Sequence, residues 1–150
     1  MKTAIGIPAY NEEKNIAKII VDSKKIADQI LVCDDGSTDS TAAIAESLGA
    51  IVVKHPKNLG YGSAIHSIFL KAKEIDTDIL VTIDADGQHR SEDIAKVIEP
   101  IKKGDADLII GSRFLDRSAE KIPEYRKLGI KIITKVTNSS LKNKITDSQS

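Results

Sequence analysis

Gln29-Ile30-Leu31-Val32-Cys33-Asp34-Asp35-Gly36-Ser37-Thr38-Asp39 decides the fold. A short run, apolar on both faces, stops on two acids and a glycine, and helical spacing then begins with Ile44 and Leu48. Such a run reads as a strand buried on both sides, with a polar turn at its carboxyl end. The same grammar repeats on either side of it. Ala4-Ile5-Gly6-Ile7 precedes a helical pattern through Ile16, Ile19 and Ile20, and Ala50-Ile51-Val52-Val53 precedes one through Ala64, Ile65, Ile68 and Phe69. Asp78-Ile79-Leu80-Val81-Thr82-Ile83 leads to Ile94, Val97, Ile98 and Ile101, and Asp107-Leu108-Ile109-Ile110 closes the series as a fifth strand. Strands joined by helices predict an α/β fold: a mostly parallel, doubly wound sheet flanked by helices. Beyond Arg113 the pattern changes, to a polar loop over 114–124 and a helix over 125–141 carrying Leu128, Ile132, Ile133 and Val136 on one face.

Composition narrows the function classes. The 150 residues hold 22 Lys+Arg and 22 Asp+Glu, so no basic excess exists to neutralise a nucleic-acid backbone. Hydrophobic residues make up 41%, too many for a disordered chain. A chain of this length buries roughly 68–70% of its unfolded surface, enough for one core, and a single domain is expected. Cys33 is the only cysteine, which excludes an internal disulfide and points to a reducing compartment. The start at Met1-Lys2-Thr3 shows no signal-peptide pattern, and no apolar run approaches the roughly 20 residues of a membrane span. A cytoplasmic location is expected.

Ligands of a doubly wound sheet bind beyond the carboxyl ends of its strands. Those ends carry Pro8-Ala9-Tyr10-Asn11-Glu12-Glu13, Asp34-Asp35-Gly36-Ser37-Thr38-Asp39, Asp84-Ala85-Asp86-Gly87-Gln88-His89 and Gly111-Ser112-Arg113, which are expected to converge on one rim. Asp84 and Asp86, with Gln88 as a third oxygen donor, can hold Mg²⁺ or Mn²⁺ with sites left open for phosphate oxygens. The competing reading is a polar turn, with Ser91 capping the next helix. A calcium EF-hand does not fit, since counting from Asp84 puts His89 at the sixth position and Ala95 at the twelfth.

Ser37 or Asp39 could cap the helix after the second strand, which explains one acid of Asp34-Asp35 but not two adjacent ones. A carboxylate there can instead accept the imide N–H of uracil or guanine, with Tyr10 offering a ring for stacking or merely covering the sheet edge. Asn58-Leu59-Gly60-Tyr61-Gly62-Ser63-Ala64 is either a phosphate-approaching loop or a plain helix entry, and it is not the dinucleotide fingerprint. Arg113 suits bidentate grip of a phosphate, or is a surface arginine. Cys33 reads as buried filler and His66 as structural. No nucleophile elbow supports hydrolysis.

Taken in order, Ile7 to Glu13, Val32 to Asp39, Asn58-x-Gly60-x-Gly62-x-Ala64, Asp84 to His89 and Gly111-Ser112-Arg113 resemble the family-2 glycosyltransferases of GT-A fold. Within that family the chain looks most like the dolichyl-phosphate mannose synthase and polyprenyl-phosphate glycosyltransferase branch. The resemblance implies that Pro8, Ala9, Tyr10, Glu12, Asp35 and Asp84 hold the nucleoside side of a GDP- or UDP-sugar. It implies Asp84, Asp86 and Gln88 as ligands of Mg²⁺ or Mn²⁺, and Arg113 and Arg126 as acceptor-phosphate residues, with Asp86 and Arg113 catalytic. Arg90 stands where this branch usually has proline.

The implied activity is inverting transfer of a sugar to a polyprenyl (dolichyl) phosphate. A phosphate acceptor is already anionic near neutral pH, so no catalytic base is demanded. Elongation of a glycan at a sugar hydroxyl is the alternative, and a nucleotide-sugar-binding module without turnover is the alternative from another class. The resemblance also makes residues 1–113 the nucleotide- and metal-binding part and 114–150 the start of the acceptor side. The family's acceptor-side motif, Asp-x-x-Ser-Gly-Phe-Arg, would be cut at Asp147-Ser148-Gln149-Ser150, so a truncated domain is expected, with any membrane anchor beyond it. The helix bearing Lys127, Lys131 and Lys135 could lie at the cytoplasmic membrane face, or simply be solvated.

Overall fold

The computed structural model describes residues 1–85 and 91–111. Among them the chain runs β1 (Thr3–Ala9), α1 (Ile16–Ser23), β2 (Gln29–Asp34), α2 (Thr41–Ser47), β3 (Ile51–Lys54), α3 (Tyr61–Glu74), β4 (Ile79–Thr82) and α4 (Ser91–Lys103). The strands form one parallel sheet in the order β3-β2-β1-β4. Every residue of β1 is buried, as are five of the six in β2, whereas β3 and β4 are partly exposed. Burial on both faces is why the two inner strands read as unbroken apolar runs.

Side chains alternate across this sheet. Ile5, Ile7 and Ala9 of β1 and Ile30 and Val32 of β2 share one core layer with Ile16, Ile19 and Ile20 of α1, Ala45 of α2, and Ile94 and Ile98 of α4. Ala4, Leu31 and Cys33 face the other way, against Ala64, Ile68 and Ala72 of α3. The helical layer follows from connection handedness. β1, β2 and β3 step in one direction across the sheet, and α1 and α2 cover one face. The step from β3 back to β4 reverses direction, and a right-handed crossover then places α3 on the opposite face.

Helix α3 lies close on the sheet because β1 carries Gly6 beneath it. A Cβ at Gly6 would stand 2.4 Å from Ile68 Cγ2, so the glycine makes room for a wholly buried isoleucine. Full burial of such a side chain contributes roughly 1.5–3 kcal/mol. The buried stripe Ala64, Ile68 and Ala72 has a spacing of four, which leaves Phe69 outside it at 56% exposure, not on the core face.

The expected fifth strand, Asp107-Leu108-Ile109-Ile110, carries no strand or helix. A four-residue apolar run holds no instruction about its partner, and a strand exists only where a neighbour completes its ladder. The expected loop at 114–124 and helix at 125–141 lie outside the described residues. No helix among the described residues is long and apolar enough to cross a membrane.

Candidate active site

The strand order reverses between β1 and β4, so the carboxyl ends of these strands flank the position where a doubly wound sheet opens a crevice. Their ladder ends early. Gly6 pairs with Thr82, and the Gly6 carbonyl accepts from the Ile83 N–H at 3.0 Å. Two residues on, Pro8 faces the same side, where β4 no longer runs alongside and its missing N–H costs no ladder bond. On the other side β1 continues to pair with β2, through Ala9 and Asp34, and the Asp35 N–H donates to the Ala9 carbonyl at 2.9 Å.

The two adjacent acids at the end of β2 both have hydrogen-bond partners, one local and one distant in sequence. Asp34 Oδ1 accepts the Ser37 N–H at 3.2 Å and closes the turn in which Gly36 has φ +75°. A Cβ on Gly36 would lie 2.4 Å from the Lys57 carbonyl carbon, so two backbone segments touch here. Asp35, 4% exposed, reaches the loop before α3 instead. Its Oδ1 accepts from His55 Nδ1 at 2.6 Å and from the Leu59 N–H at 2.9 Å, and its Oδ2 accepts from the Gly60 N–H at 2.8 Å. Burial would push this carboxyl up, but the Leu59 N–H, the His55 ring and the Gly60 N–H together hold it below the ordinary carboxylate value. A local turn thus accounts for Asp34 alone, as expected, while Asp35 is held by the loop before α3. Both have structural partners, and a carboxylate offers about four lone-pair positions, so Asp35 keeps one acceptor position open on Oδ2.

The His55 ring is itself fixed at its far side, with Nε2 2.8 Å from Ser67 Oγ and 3.6 Å from Cys33 Sγ. Cysteine, histidine and aspartate thus stand in a row, as in a thiol hydrolase. Cys33 nevertheless has no exposed surface, and burial, with Asp35 and Asp34 nearby, pushes its thiol up to about 11. It stays protonated and unreachable, which agrees with its reading as filler.

The loops after β1 and β2 are laced together. The N–H groups of Asn11, Glu12 and Glu13 donate to Ser37 Oγ (2.9 Å), Thr41 Oγ1 (2.8 Å) and Asp39 Oδ2 (3.2 Å). In return the Thr38 N–H donates to Asn11 Oδ1 at 2.9 Å and the Ser40 N–H to Glu13 Oε2 at 3.1 Å. Asp39 also accepts the Thr41 N–H at 2.9 Å, from one residue before the N-cap Ser40, and so does the capping work; Ser37 reaches Asn11 and caps nothing. Glu12, partly buried, accepts from Asn15 Nδ2 at 2.9 Å, while Tyr10 stands 47% exposed at the rim.

The loop after β3 connects both halves of the rim. Gly60, with φ +92°, precedes α3 and bonds Asp35, and the next residue, Tyr61, donates from its hydroxyl to Asp84 Oδ1 at 3.2 Å. Partial burial and then the Asp84 charge push the Tyr61 phenol up, so it remains a donor. Asp84 has no other hydrogen-bond partner among the described residues. Gly62 needs neither an unusual backbone nor close approach, and nothing in the structure explains a glycine there.

A profile described as glycosyl transferase family 2 matches residues 4–149. The chain belongs to this family. It is 37% identical over 166 residues to the UDP-N-acetylglucosamine–dolichyl-phosphate N-acetylglucosaminyltransferase of Methanococcus voltae, covering 96% of this chain and 65% of that one. It is 38% identical over 137 residues to the dolichol-phosphate mannosyltransferase of Pyrococcus furiosus, covering 85% of this chain and 38% of that one. Among solved structures it resembles glucosyl-3-phosphoglycerate synthase from Mycobacterium tuberculosis in complex with Mn²⁺, UDP-glucose and phosphoglyceric acid. That match has a TM-score of 0.57 at 29% identity over 69% of this chain and 40% of that one. The chain spans less than two thirds of the length of these relatives.

Against the family expectation, the structure brings Pro8, Ala9, Tyr10, Glu12, Asp35 and Asp84 to the carboxyl ends of β1, β2 and β4. Asp86, Gln88, Arg113 and Arg126 lie outside the described residues. The sequence reading missed His55 and the partnership of Tyr61 with Asp84. His55 was within reach of the rule already in use, because it is the first residue after β3 and so also sits at a strand's carboxyl end. Ser67, in the middle of α3, had no such signal.

Proposed function

We propose that the chain is the donor-binding portion of a metal-dependent, inverting glycosyltransferase that moves a sugar from a nucleoside-diphosphate sugar to a polyprenyl phosphate. The observation that carries this is the Leu59-Gly60-Tyr61 segment, which bonds Asp35 and Asp84 at once and so ties the base end of the rim to the metal end. Residues 1–113 supply nucleotide and metal binding, and 114–150 begin the acceptor side. The names of the dolichyl-phosphate relatives support the acceptor class.

In this reading Tyr10 stacks on the base of a UDP- or GDP-sugar, Pro8 and Ala9 wall it, Asp35 accepts its imide N–H, and Glu12 completes the nucleoside subsite. Asp84, Asp86 and Gln88 hold Mg²⁺ or Mn²⁺. Asp84 fits the part, because a half-exposed carboxylate with one oxygen unpartnered among the described residues suits a hard cation. Bound there, the metal would offset charge on the departing diphosphate. Arg113 and Arg126 hold the acceptor phosphate, whose oxygen attacks the anomeric carbon without a protein base. A polyprenyl acceptor places the protein at a membrane surface, on its cytoplasmic face.

The neighbour named glucosyl-3-phosphoglycerate synthase favours a second reading, in which a hydroxyl of a water-soluble acceptor receives the sugar. The test offers UDP- and GDP-sugars with polyprenyl phosphate, with phosphoglycerate and with a free glycan, and follows product by mass. Sugar-polyprenyl-phosphate formed only with Mg²⁺ or Mn²⁺, and lost in Asp86→Asn, is the expected outcome. Transfer only to a hydroxyl acceptor overturns the lipid assignment, and tight nucleotide binding without any product identifies a binding module.

A further inference from the structure

His55 is a nearly buried titratable side chain at the rim that the donor-binding scheme leaves without a task. Its side chain is 9% exposed and sits one residue beyond β3. Asp35 is a deprotonated acceptor, so the 2.6 Å contact requires the proton on His55 Nδ1. Nε2 then faces Ser67 Oγ at 2.8 Å, so α3 and the end of β2 grip the ring from both sides. The Cys33 thiol, 3.6 Å away, adds a weak third contact.

The three donors on Asp35 are distributed unequally. His55 and the Leu59 N–H share Oδ1, and the Gly60 N–H takes one position on Oδ2. Two backbone donors from one loop can follow the carboxylate if it turns. The imidazole cannot, because its other nitrogen is held by a helix. The ring therefore fixes the plane of the carboxylate and selects which oxygen keeps a vacancy.

We propose that His55 is a positioning residue for base recognition: it locks Asp35 so that a single acceptor position, on Oδ2, faces the imide N–H of a uracil or guanine base. This rests on the reading of Asp35 as the base acceptor. It adds that selectivity for an imide donor is held by the β3 end and α3 and not by Asp35 alone. Bases that present an acceptor at the same edge, such as cytosine and adenine, are turned away because Asp35 has no proton to offer them.

The experiment measures binding of UDP and GDP, each against its N-methylated counterpart (3-methyl-UDP and 1-methyl-GDP), to the full chain with Mn²⁺. The methyl group removes the imide N–H and nothing else of hydrogen-bonding consequence. The unmodified chain is expected to prefer the unmethylated nucleotide by roughly tenfold to a hundredfold, the range for a hydrogen bond to a charged group. His55→Leu is expected to bring that ratio close to one. His55→Asn, whose side-chain N–H stands where Nδ1–H stood, restores most of it. A purely structural histidine would lower affinity for both nucleotides equally and leave the ratio untouched, and that result overturns the proposal.

If the unmodified chain itself shows no preference for either pair, the reading of Asp35 fails and this inference falls with it. If the preference is present and survives His55→Leu, only the role of His55 fails. Thermal melting accompanies each variant. Should His55→Leu not fold, Ser67→Ala decides, since it frees one side of the ring and keeps the bond to Asp35. A several-fold fall in the ratio supports the proposal, and an unchanged ratio overturns it.

Discussion

The ends of β2 and β4 both carry acids, and they are built in opposite ways. Asp35 is 4% exposed and holds three hydrogen bonds, two of them from backbone N–H groups. Asp84 is half-buried and among the described residues holds one, at 3.2 Å, from a tyrosine that is itself 63% exposed. The difference suits the two tasks proposed for these acids. Reading a base by one hydrogen bond rewards an acceptor frozen before the ligand arrives, because any freedom of the carboxylate is lost on binding. Ligating a cation rewards a carboxylate with open oxygens, since each bond already made to the protein is one denied to the metal.

The comparison breaks most visibly if the two acids are removed in turn. Asp35→Ala leaves the His55, Leu59 and Gly60 donors without their acceptor in a part-buried place, and a loss on the order of 2 kcal/mol in unfolding free energy is expected from urea denaturation. The same carboxyl gives the fold an acid limit. Its value lies below that of the unfolded chain, so its stabilisation is complete above the unfolded value, near roughly pH 4, and is lost as pH falls toward the folded one. In Asp35→Ala this component of the acid-unfolding slope disappears. An unchanged acid limit in the variant would show that the three donors stabilise nothing.

Asp84→Asn should behave in the reverse manner. Unfolding free energy changes by no more than about 0.5 kcal/mol, as for other surface positions. Mn²⁺-dependent binding of a nucleotide sugar, followed by calorimetry, falls roughly a hundredfold if Asp84 is the ligand proposed above, because the amide surrenders the charge that pairs with the metal. A variant destabilised like Asp35→Ala, with metal response intact, would mean that the two ends of the rim are not specialised at all.

How much of this was legible beforehand follows from the range of each interaction. The strands and helices around β1 and β2 could be read because two-sided burial and helical periodicity are written in neighbouring residues. The pairing of β1 with β4 was not written locally, since register and partner depend on the whole sheet. That is also why Asp107 to Ile110 read as a strand and is none. The acids at the rim were legible as residue types. Their partners were not, because the Leu59 and Gly60 N–H groups lie 24 and 25 residues from Asp35 and backbone donors have no side-chain signature. Asn11, Glu13, Ser37 and Asp39 were visible as motif residues, yet their job of lacing two loops together appears only once the loops are neighbours.

The smallest expected effect tests the thread between the two ends. Tyr61→Phe removes only the hydroxyl that donates to Asp84, and the ring and the helix start remain. Outer partners of metal ligands usually change metal affinity by about 10–100-fold, but this bond is long and exposed, so a weakening of only about two- to fivefold in Mn²⁺ affinity is expected. Stability should not move measurably, and base preference, measured with the methylated nucleotides, should not move either. A Tyr61→Phe variant that altered base preference would show that the Gly60-Tyr61 peptide transmits strain from Asp84 to Asp35. The two carboxylates would then be one coupled device. An unaltered preference with a modest metal effect means that the loop merely touches both, and that the frozen acceptor and the open ligand work independently.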